Sequence, residues 1–488
     1  MAWQTSRLRV VVERSWFLLC QQLLQGELGA IAHAPLCSVS IALGRLRTSS
    51  TTLLIACGNR CDQVSNLESR HCEMEQPSSK RSGGTGHTNG IPALTNAQPA
   101  LKRQRRDAGA LTVYRHDDCA RHETASEGDG EHQESPARVA AIAGALQGYA
   151  TRRDFEPAFS HALLRVHSAH YLDTLESIFW RGRLSPILRG RILGESGVDQ
   201  VAGGATPVGP GTWTAATRAA GAALAAVRDA SPGSRSFVLV RPPGHHAMRE
   251  GYDAAAGGCG FCVLGNAAIA AAEALEAGAR VAVVDIDVHH GNGTEAWAVA
   301  ASSERLLYAS AHLREVYEDS SLDFFPGTGA AHSPTTKSTI CNVPVTPNWI
   351  KPGARARFVS AVDTISQKLA AFRPSILILS AGFDALEGDA GQLNPWTPDD
   401  RDLPPSVAPE VLDSVGLRPA DYRTMTRALL GALPEGASVV SVLEGGYGRP
   451  DGAGGFDKTG LVAAASAHVE ALDQHRVTLG RLYPGSLV

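Results

Sequence analysis

Four short apolar runs constrain the fold of this chain more than any other feature of its sequence. The runs are Phe237–Val240, Val281–Val284, Ile376–Leu379 and Val439–Leu443. Stretches with a helical pattern lie between them, near residues 212–229, 265–277, 354–371 and 419–430. Strands that are apolar throughout are buried on both faces, and their alternation with helices is typical of a parallel sheet. We therefore predict an α/β fold, with three αβα layers around a central, mostly parallel sheet.

The composition of the chain limits its class of function. Of 488 residues, 43% are apolar, so the bulk of the chain can build a sizeable core. The formal net charge of -4 argues against direct, sequence-specific nucleic-acid binding, because phosphate contacts need a basic surface. The nine cysteines show no disulfide spacing, which favours a reducing compartment. No apolar run reaches the length of a membrane span, so we expect none.

Residues 1–108 differ in composition from the rest and predict an N-terminal extension. The first 60 residues are rich in arginine and poor in acidic residues, which is typical of organellar transit peptides. Residues 76–108 have the composition of a disordered linker and contain the basic cluster Lys102–Arg106, typical of a nuclear import signal or a solvated charge run. The nucleus or cytoplasm is favoured, with a mitochondrion or plastid as the alternative. Residues 109–488 form the predicted globular domain.

Polar and ionisable residues follow directly after each of the four runs. In open α/β sheets, ligands bind outside the carboxyl ends of the strands. Four strand ends would therefore deliver histidines, carboxylates and a tyrosine to one edge of the sheet. The segments are Arg241–His246 (RPPGHH), Asp285–Gly293 (DIDVHHGNG), Ser380–Asp384 (SAGFD) and Glu444–Gly448 (EGGYG).

The segment after the second run predicts a divalent-metal site. Side chains alternate along a strand, so we expect Asp285, Asp287 and His289 to project to the same side. Asp384 could complete a three-ligand set of oxygen and nitrogen atoms, which suits zinc, with iron(II) as the alternative. Three protein ligands leave one position open for water, as in catalytic zinc sites. The alternative for the carboxylates is capping of helix N-termini.

Two adjacent histidines and a tyrosine predict proton transfer and oxyanion stabilisation. His245 and His246 follow a rigid Pro-Pro-Gly sequence, and Asp285 and Asn292 are candidate acceptors for their rings. A carboxylate makes its histidine partner more basic, whereas an amide does so much less. Tyr447 follows two glycines that would let its loop approach a substrate, where its hydroxyl could donate to an oxyanion. Core histidines and a packed turn tyrosine are the alternatives.

These motifs together resemble the histone deacetylase superfamily, an arginase-like α/β fold that includes bacterial acetoin-utilisation and polyamine deacetylases. The resemblance covers roughly residues 112–485. Asn292 stands where class I members have Asp, which indicates the class II-like branch. Further matching segments are His167-Ser168 with Tyr171, Gly260–Cys262 (GFC) and Phe324–Gly329 (FFPGTG).

The resemblance implies roles for the matching residues of a deacetylase catalytic domain. The implied zinc ligands are Asp287, His289 and Asp384. The implied proton-transfer pair is His245 and His246, and Tyr447 would polarise the carbonyl. The implied walls of an acyl-lysine tunnel are Gly260, Phe261 and Phe325. An inner structural K⁺ site would use Asp285, Ser310 and main-chain oxygens of Asp287, His289 and Ala311.

The resemblance further implies hydrolysis of N-acetyl-lysine in proteins, histone tails among them, with a corepressor complex as a partner. One alternative is a small-molecule deacetylase of the acetylpolyamine type. Gly391 disfavours it, because eukaryotic enzymes of that type have a Glu gatekeeper seven residues after the third metal ligand. The other alternative is a non-catalytic acetyl-lysine reader or corepressor scaffold, which the presence of Tyr447 disfavours.

Three departures from the family pattern bear on the site. Cys259 and Cys262 form a CxxC, which in another context indicates a redox or zinc site. The Asp that usually precedes a rim Thr is missing at Ala205-Thr206, with Asp199 as the nearest substitute. About twenty extra residues near 393–415, rich in Pro and Asp, predict a loop at the rim of the active site.

Overall fold

Eight parallel strands form the central sheet in the computed structural model of the chain. The structure describes residues 111–482 apart from 125–130, 182–205, 207, 254, 316–323, 332–338 and 393–413. The strand order is β2-β1-β3-β8-β7-β4-β5-β6. The strands are β1 Thr112–Tyr114, β2 Ala150–Arg152, β3 Arg235–Val238, β4 Val281–Asp285, β5 Leu306–Leu313, β6 Ile340–Val345, β7 Ile376–Ala381 and β8 Ser438–Leu443.

Helices separate most of these strands along the chain, as βαβ connections in a parallel sheet require; between β5 and β6 the described residues include none. The α-helices are α1 Pro136–Ala145, α2 Ser160–Leu163, α3 Ala169–Arg181, α4 Thr212–Arg228, α5 Asn266–Glu276, α6 Asn292–Ala301, α7 Ala354–Phe372, α8 Pro419–Gly431 and α9 Thr459–Leu482. A two-stranded antiparallel ribbon joins β9 Arg449–Pro450 to β10 Phe456–Asp457. In the described part of the chain, no helix combines the length and apolarity needed to cross a membrane.

The two faces of the sheet are covered by different helices, which gives the predicted three layers. Alternate side chains of β4 enter different cores, Ala282 and Val284 on one face and Val281 and Val283 on the other. The first core is closed by residues of α1, α7, α8 and α9. The second is closed by residues of α4, α5 and α6. The α/β, three-layer prediction is therefore confirmed.

The predicted elements agree with the structure to within two residues, with two local differences. The first apolar run leaves the strand after Val238, two residues before its predicted end. A serine followed by a proline predicts a helix start at Ser135-Pro136. Helix α1 does begin at Pro136, but Ser135 makes no cap hydrogen bond, because its hydroxyl donates to Glu131 instead. A glycine after a helical stretch predicts its C-terminal end, and Gly278, with φ of 87°, does follow the end of α5.

The four predicted runs are the four adjacent strands at the middle of the sheet, in the order β3-β8-β7-β4. Because these strands are parallel neighbours, their carboxyl ends open onto the same edge. The four polar segments that follow them are therefore brought together by the topology of the sheet.

Candidate active site

Two carboxylates and one imidazole converge at the carboxyl end of β4 and β7. Ligand atoms of Asp287, His289 and Asp384 all lie within 4.8 Å of one another. Nδ1 of His289 is 3.1 Å from Oδ1 of Asp287 and 3.1 Å from Oδ2 of Asp384. Both aspartates are fully buried, and His289 is 15% exposed. The predicted metal-ligand set is thus assembled in one place.

The surroundings of this group fit a metal ion. Gly382 and Gly445 line the carboxylates, and a Cβ at Gly445 would lie 2.6 Å from Oδ2 of Asp287. Only glycine leaves that space free. The amides of Gly445 and Val288 donate to Asp287 and Asp384 at 2.9 and 3.0 Å, which orients each carboxylate.

The prediction that strand alternation aligns Asp285, Asp287 and His289 is wrong. Strand β4 ends at Asp285, so strand alternation does not place Asp287 and His289. Both residues lie in a bend, where the amide and the ring of His289 each contact Oδ1 of Asp287, at 2.9 and 3.1 Å. Local turn geometry and the β4–β7 pairing bring the three side chains together.

The electrostatics of Asp287, His289 and Asp384 favour a bound positive charge. Burial opposes protonation of His289, but the carboxylates of Asp287 and Asp384 outweigh it and raise its pKa to about 9. Burial and the charge of Asp287 raise the pKa of Asp384 to about 6. Two buried carboxylates so close together are stabilised by a proton or by a metal ion.

His245 and His246 lie beside this group and have the two expected acceptors. Nδ1 of His245 is 3.0 Å from Oδ2 of Asp285, and Nδ1 of His246 is 2.8 Å from Oδ1 of Asn292. Burial lowers the pKa of His245, but the charges of Asp287 and Asp285 overcome it and raise that pKa to about 10. Burial and the charge of His245 lower the pKa of His246 well below its ordinary value. One ring is therefore cationic and the other neutral at neutral pH.

Tyr447 is held in a glycine-rich turn at the end of β8. Gly446 and Gly448 have φ of 107° and 99°, which other residues rarely adopt. The main-chain amide of Tyr447 donates to Oδ2 of Asp389 at 2.9 Å. Burial raises the pKa of the Tyr447 hydroxyl well above its ordinary value, so the group keeps its proton as a hydrogen-bond donor.

The predicted tunnel walls border the same site. Phe325 contacts His246 edge-on, with ring centroids 4.9 Å apart, and Phe261 contacts Tyr447 with centroids 5.7 Å apart. A Cβ at Gly260 would collide with the rings of His246 and Phe325, so this glycine allows the wall to approach them. The three residues implied as tunnel walls therefore adjoin the histidine pair and the tyrosine.

The predicted K⁺ site rests on neighbouring residues of β4 and β5. Asp285 pairs with Ser310 in the sheet, and Ala311 follows; all three are fully buried. The hydroxyl of Ser310 is 2.8 Å from Nδ1 of His312. The main-chain oxygens of Asp287 and His289 complete the predicted set, and K⁺ at this position stays a prediction.

The two cysteines of the CxxC are free, buried thiols. Burial raises the pKa of Cys259 to about 11 and that of Cys262 well above its ordinary value. Cys262 also groups with His245 and Glu444 at metal-ligand distances. The carboxylate of Glu444 accepts from the amides of Gly244 and His245 at 2.7 and 3.2 Å. It therefore stabilises the loop that carries His245 and His246. A thiol with a raised pKa is a poor metal ligand and a poor redox group.

Sequence reasoning missed two buried residues that hold Tyr447. Arg138 stacks over its ring at 4.8 Å, is paired with Glu134 at 3.0 Å and donates to the carbonyl of Gly446. Asp389 accepts from the amides of Tyr447 and Gly448. For Arg138, the sequence offers one signal, a glutamate and an arginine four residues apart at the start of an Ala-rich helix.

Part of the predicted rim lies outside the described residues, namely Asp199, residues 204–205 and residues 393–413 of the insertion. Thr206 is described. Its hydroxyl accepts from the amide of Phe261 at 3.0 Å and from the thiol of Cys259 at 3.1 Å, so it holds the main chain of the predicted tunnel wall.

Comparison with known proteins agrees with this geometry. The model of the histone deacetylase domain matches residues 132–459. The chain belongs to the histone deacetylase family. This family member is 33% identical over 341 residues to an uncharacterized protein of Synechocystis, covering 68% of this chain and 91% of that relative.

Two further comparisons place this member of the histone deacetylase family among its relatives. It is 34% identical over 281 residues to the acetylpolyamine amidohydrolase of Burkholderia pseudomallei, covering 53% of this chain and 76% of that protein. The crystal structure of the HDA15 HD domain matches with a TM-score of 0.55 and 25% identity, over 75% of this chain and 90% of that one. Family membership supports a metal-dependent deacetylase.

Proposed function

We propose that the protein is a zinc-dependent deacetylase that hydrolyses the acetamide of N-acetyl-lysine in proteins and releases acetate. The observation that carries the proposal is the convergence of Asp287, His289 and Asp384 within 4.8 Å, beside a histidine pair with fixed acceptors. Three oxygen and nitrogen ligands with an open side are typical of catalytic zinc. A zinc ion held there would supply Lewis acidity, which polarises a carbonyl and acidifies water.

The two histidines have different roles in this proposal. The carboxylates of Asp287 and Asp285 favour the protonated form of His245, so His245 contributes positive charge near the reacting carbonyl. His246 has only an amide partner and stays neutral, so its free ring nitrogen accepts the proton of the attacking water. The same nitrogen then protonates the leaving lysine amine.

Tyr447 stabilises the charge that develops on the acetyl oxygen. Its buried hydroxyl keeps its proton and donates to the oxyanion of the tetrahedral intermediate. Arg138, which stacks on the ring, and Asp389, which accepts from the Tyr447 amide, hold the loop in place. The competence of this tyrosine disfavours a non-catalytic reader or corepressor scaffold.

The substrate class is the finer part of the proposal. Phe261 and Phe325 offer apolar ring surface for the methylene stem of a lysine. Gly391 stands where a polyamine gatekeeper would be expected, and a Cβ there would lie 2.7 Å from the ring of Tyr447. Acetyl-lysine in proteins, histone tails among them, is therefore favoured. An acetylpolyamine substrate is the second candidate, since a relative at 34% identity is an acetylpolyamine amidohydrolase.

A side-by-side assay tests the proposal. Purified protein is supplied with zinc, and acetate release is measured with an acetyl-lysine peptide and with acetylspermidine. We expect turnover of the peptide to exceed that of acetylspermidine, and both to stop on chelation. Much faster turnover of acetylspermidine would refute the substrate class, and release of acetate from neither would refute the deacetylase activity.

A further inference from the structure

A carboxylate outside the family motifs contacts the amide partner of His246. Nδ2 of Asn292 donates to Oδ2 of Asp253 at 2.7 Å, while Oδ1 of the same amide is 2.8 Å from Nδ1 of His246. Asp253 is half-buried, and Asn292 is 6% exposed. The three side chains form a continuous chain of hydrogen bonds that ends at the His246 ring.

The loop that carries Asp253 is shaped to present this carboxylate. The main chain of Asp253 pairs with that of Gly258 through two hydrogen bonds of 3.3 Å. Oδ1 of Asp253 accepts from the amide of Ala255 at 2.9 Å. Oδ1 is therefore used to hold the turn, and Oδ2 is left to face Asn292. At the base of the loop, Met248 and Gly251 are also paired.

A carboxylate at this position decides which way the Asn292 amide points. An asparagine can present either its oxygen or its NH₂ group to a neighbour, and the two ends have nearly the same shape. An ionised carboxylate has only acceptor atoms, so Asp253 must receive the NH₂ end. The flipped amide would place an oxygen against an oxygen at 2.7 Å. Oδ1 of Asn292 is thereby directed at His246.

The orientation of the amide in turn sets the tautomer of His246. An oxygen facing Nδ1 needs a hydrogen there, so the proton of the neutral ring resides on Nδ1 and Nε2 keeps its lone pair. Nε2 lies close to Gly260 of the predicted tunnel wall, since a Cβ on Gly260 would lie 2.4 Å from Cδ2 and 3.1 Å from Nε2 of this ring. The free lone pair is therefore at the edge of the ring that borders the predicted tunnel wall.

We infer that Asp253 is a positioning residue, which fixes the Asn292 amide and so keeps Nε2 of His246 free to accept a proton. This inference rests on the deacetylase activity proposed above. Asp253 touches neither the metal-ligand group nor the tunnel walls among its described contacts, so its effect is expected on kcat and not on KM.

The test is an exchange of the two side chains, measured as acetate release from an acetyl-lysine peptide. Asp253→Ala should lower kcat about tenfold or more with little change in KM, as removal of an outer partner typically does. Asp253→Asn keeps its oxygen on the Ala255 amide and turns an NH₂ group toward that of Asn292, so it should be impaired as well. Asn292→Asp alone places two carboxylates against each other and should be impaired. The double variant Asp253→Asn with Asn292→Asp restores one donor and one acceptor and should recover activity.

A matched control removes a different carboxylate from the same loop. Glu250 is exposed and accepts from the hydroxyl of Ser168, so Glu250→Ala should keep kcat close to that of wild type. The inference is overturned if Asp253→Ala keeps wild-type kcat, or if Asn292→Asp is as active alone as in the double variant. Either result would mean that the Asp253–Asn292 contact does not act on His246.

A second measurement separates this inference from the proposed function. In protein labelled with ¹⁵N-histidine, the His246 signals, identified by their loss in His246→Ala, should report a proton on Nδ1 and none on Nε2. Asp253→Ala should shift them toward the other tautomer. If wild-type protein releases no acetate but the signals respond in this way, the deacetylase proposal fails and the positioning role stands. Unchanged signals in Asp253→Ala would refute the positioning role.

Discussion

Gly391 lies so close to Tyr447 that a Cβ atom at position 391 would be 2.7 Å from Cε2 of the tyrosine ring. The same atom would be 2.7 Å from Cβ of Asp384. Real Cβ atoms do not pack at such distances, so any side chain at this position must displace the tyrosine or the aspartate. The site therefore requires glycine there for steric reasons.

The first prediction is that Gly391→Ala impairs turnover although it adds only a methyl group. We expect kcat to fall by about tenfold or more, because a misplacement of about 1 Å of a catalytic group can cost 100-fold. Gly144→Ala is the control, since a Cβ at that position of α1 meets nothing within 4 Å. It should leave kcat unchanged and stabilise the fold by about 0.5–1 kcal/mol. Wild-type kcat in Gly391→Ala would contradict the steric argument.

The second prediction separates the hydroxyl of Tyr447 from its packing. Tyr447→Phe should lower kcat by about 10²–10³, the usual cost of one oxyanion donor, with folding and zinc content unchanged. Tyr422→Phe is the matched control. Its buried hydroxyl has no hydrogen-bond partner among the described residues, so its removal should leave kcat unchanged and stability equal or higher. Equal kcat in wild type and Tyr447→Phe would make Tyr447 a packed turn residue.

The third prediction concerns the metal ligands. Asp287→Ala or Asp384→Ala should abolish both bound zinc, measured by elemental analysis of purified protein, and acetate release. Asp363→Ala, at an exposed position of α7, should keep one zinc per chain and full activity. Full activity after thorough chelation of the wild-type protein would rule out a metal mechanism.

The fourth prediction is that zinc affinity rises with pH. Without metal, the pKa of His289 is about 9, so its ring binds a proton at pH 7. A histidine ligand must be neutral, so zinc has to displace that proton. The apparent Kd should therefore fall by about tenfold per pH unit up to pH 9 and then level off. Competition with a chelator calibrated at each pH measures this, and a Kd independent of pH would contradict it.

Much of the fold and the site follows from local sequence patterns. The runs at β3, β4, β7 and β8 are apolar throughout, and burial on both faces leaves few other structures for them. Because these strands are adjacent and parallel, the polar segments after them had to meet at one edge. That Asp285 and Asn292 would contact the rings of His245 and His246 could be predicted for the same reason, whereas the structure assigns each acceptor to its ring.

The sequence does not predict contacts between segments that have no periodic pattern of apolar residues. Asp253 accepts a hydrogen bond from Asn292, and its position depends on the turn that its loop forms. Asp389 accepts a hydrogen bond from the amide of Tyr447, which follows a different strand. The bend at Asp287 has no signal in the sequence, because an uninterrupted strand would align Asp287 with His289 equally well. In each case hydrogen bonds to main-chain groups, and not side-chain pattern, decide the geometry.

The last prediction concerns substrate choice and the insertion after the third metal ligand. Its ends are joined by Gln392, whose Oε1 accepts from the hydroxyl of Ser414 at 3.1 Å and from the amide of Val415 at 2.9 Å. Because Gln392 and Ser414 are already in contact, residues 394–413 can be replaced by a short glycine linker without opening the fold. The segment between them lies outside the described residues, and its charge is known from sequence alone.

We expect that segment to attract basic substrates through Asp399, Asp400 and Asp402. Its replacement should raise KM for a basic acetyl-lysine peptide by about threefold to tenfold at low salt, and by less as salt screens the charges. KM for a minimal acetyl-lysine amide should not change. Conversion of the three aspartates to asparagine keeps the length of the loop and should reproduce the effect. If the replacement alters both substrates equally, the insertion supports the fold of the rim and does not select the substrate.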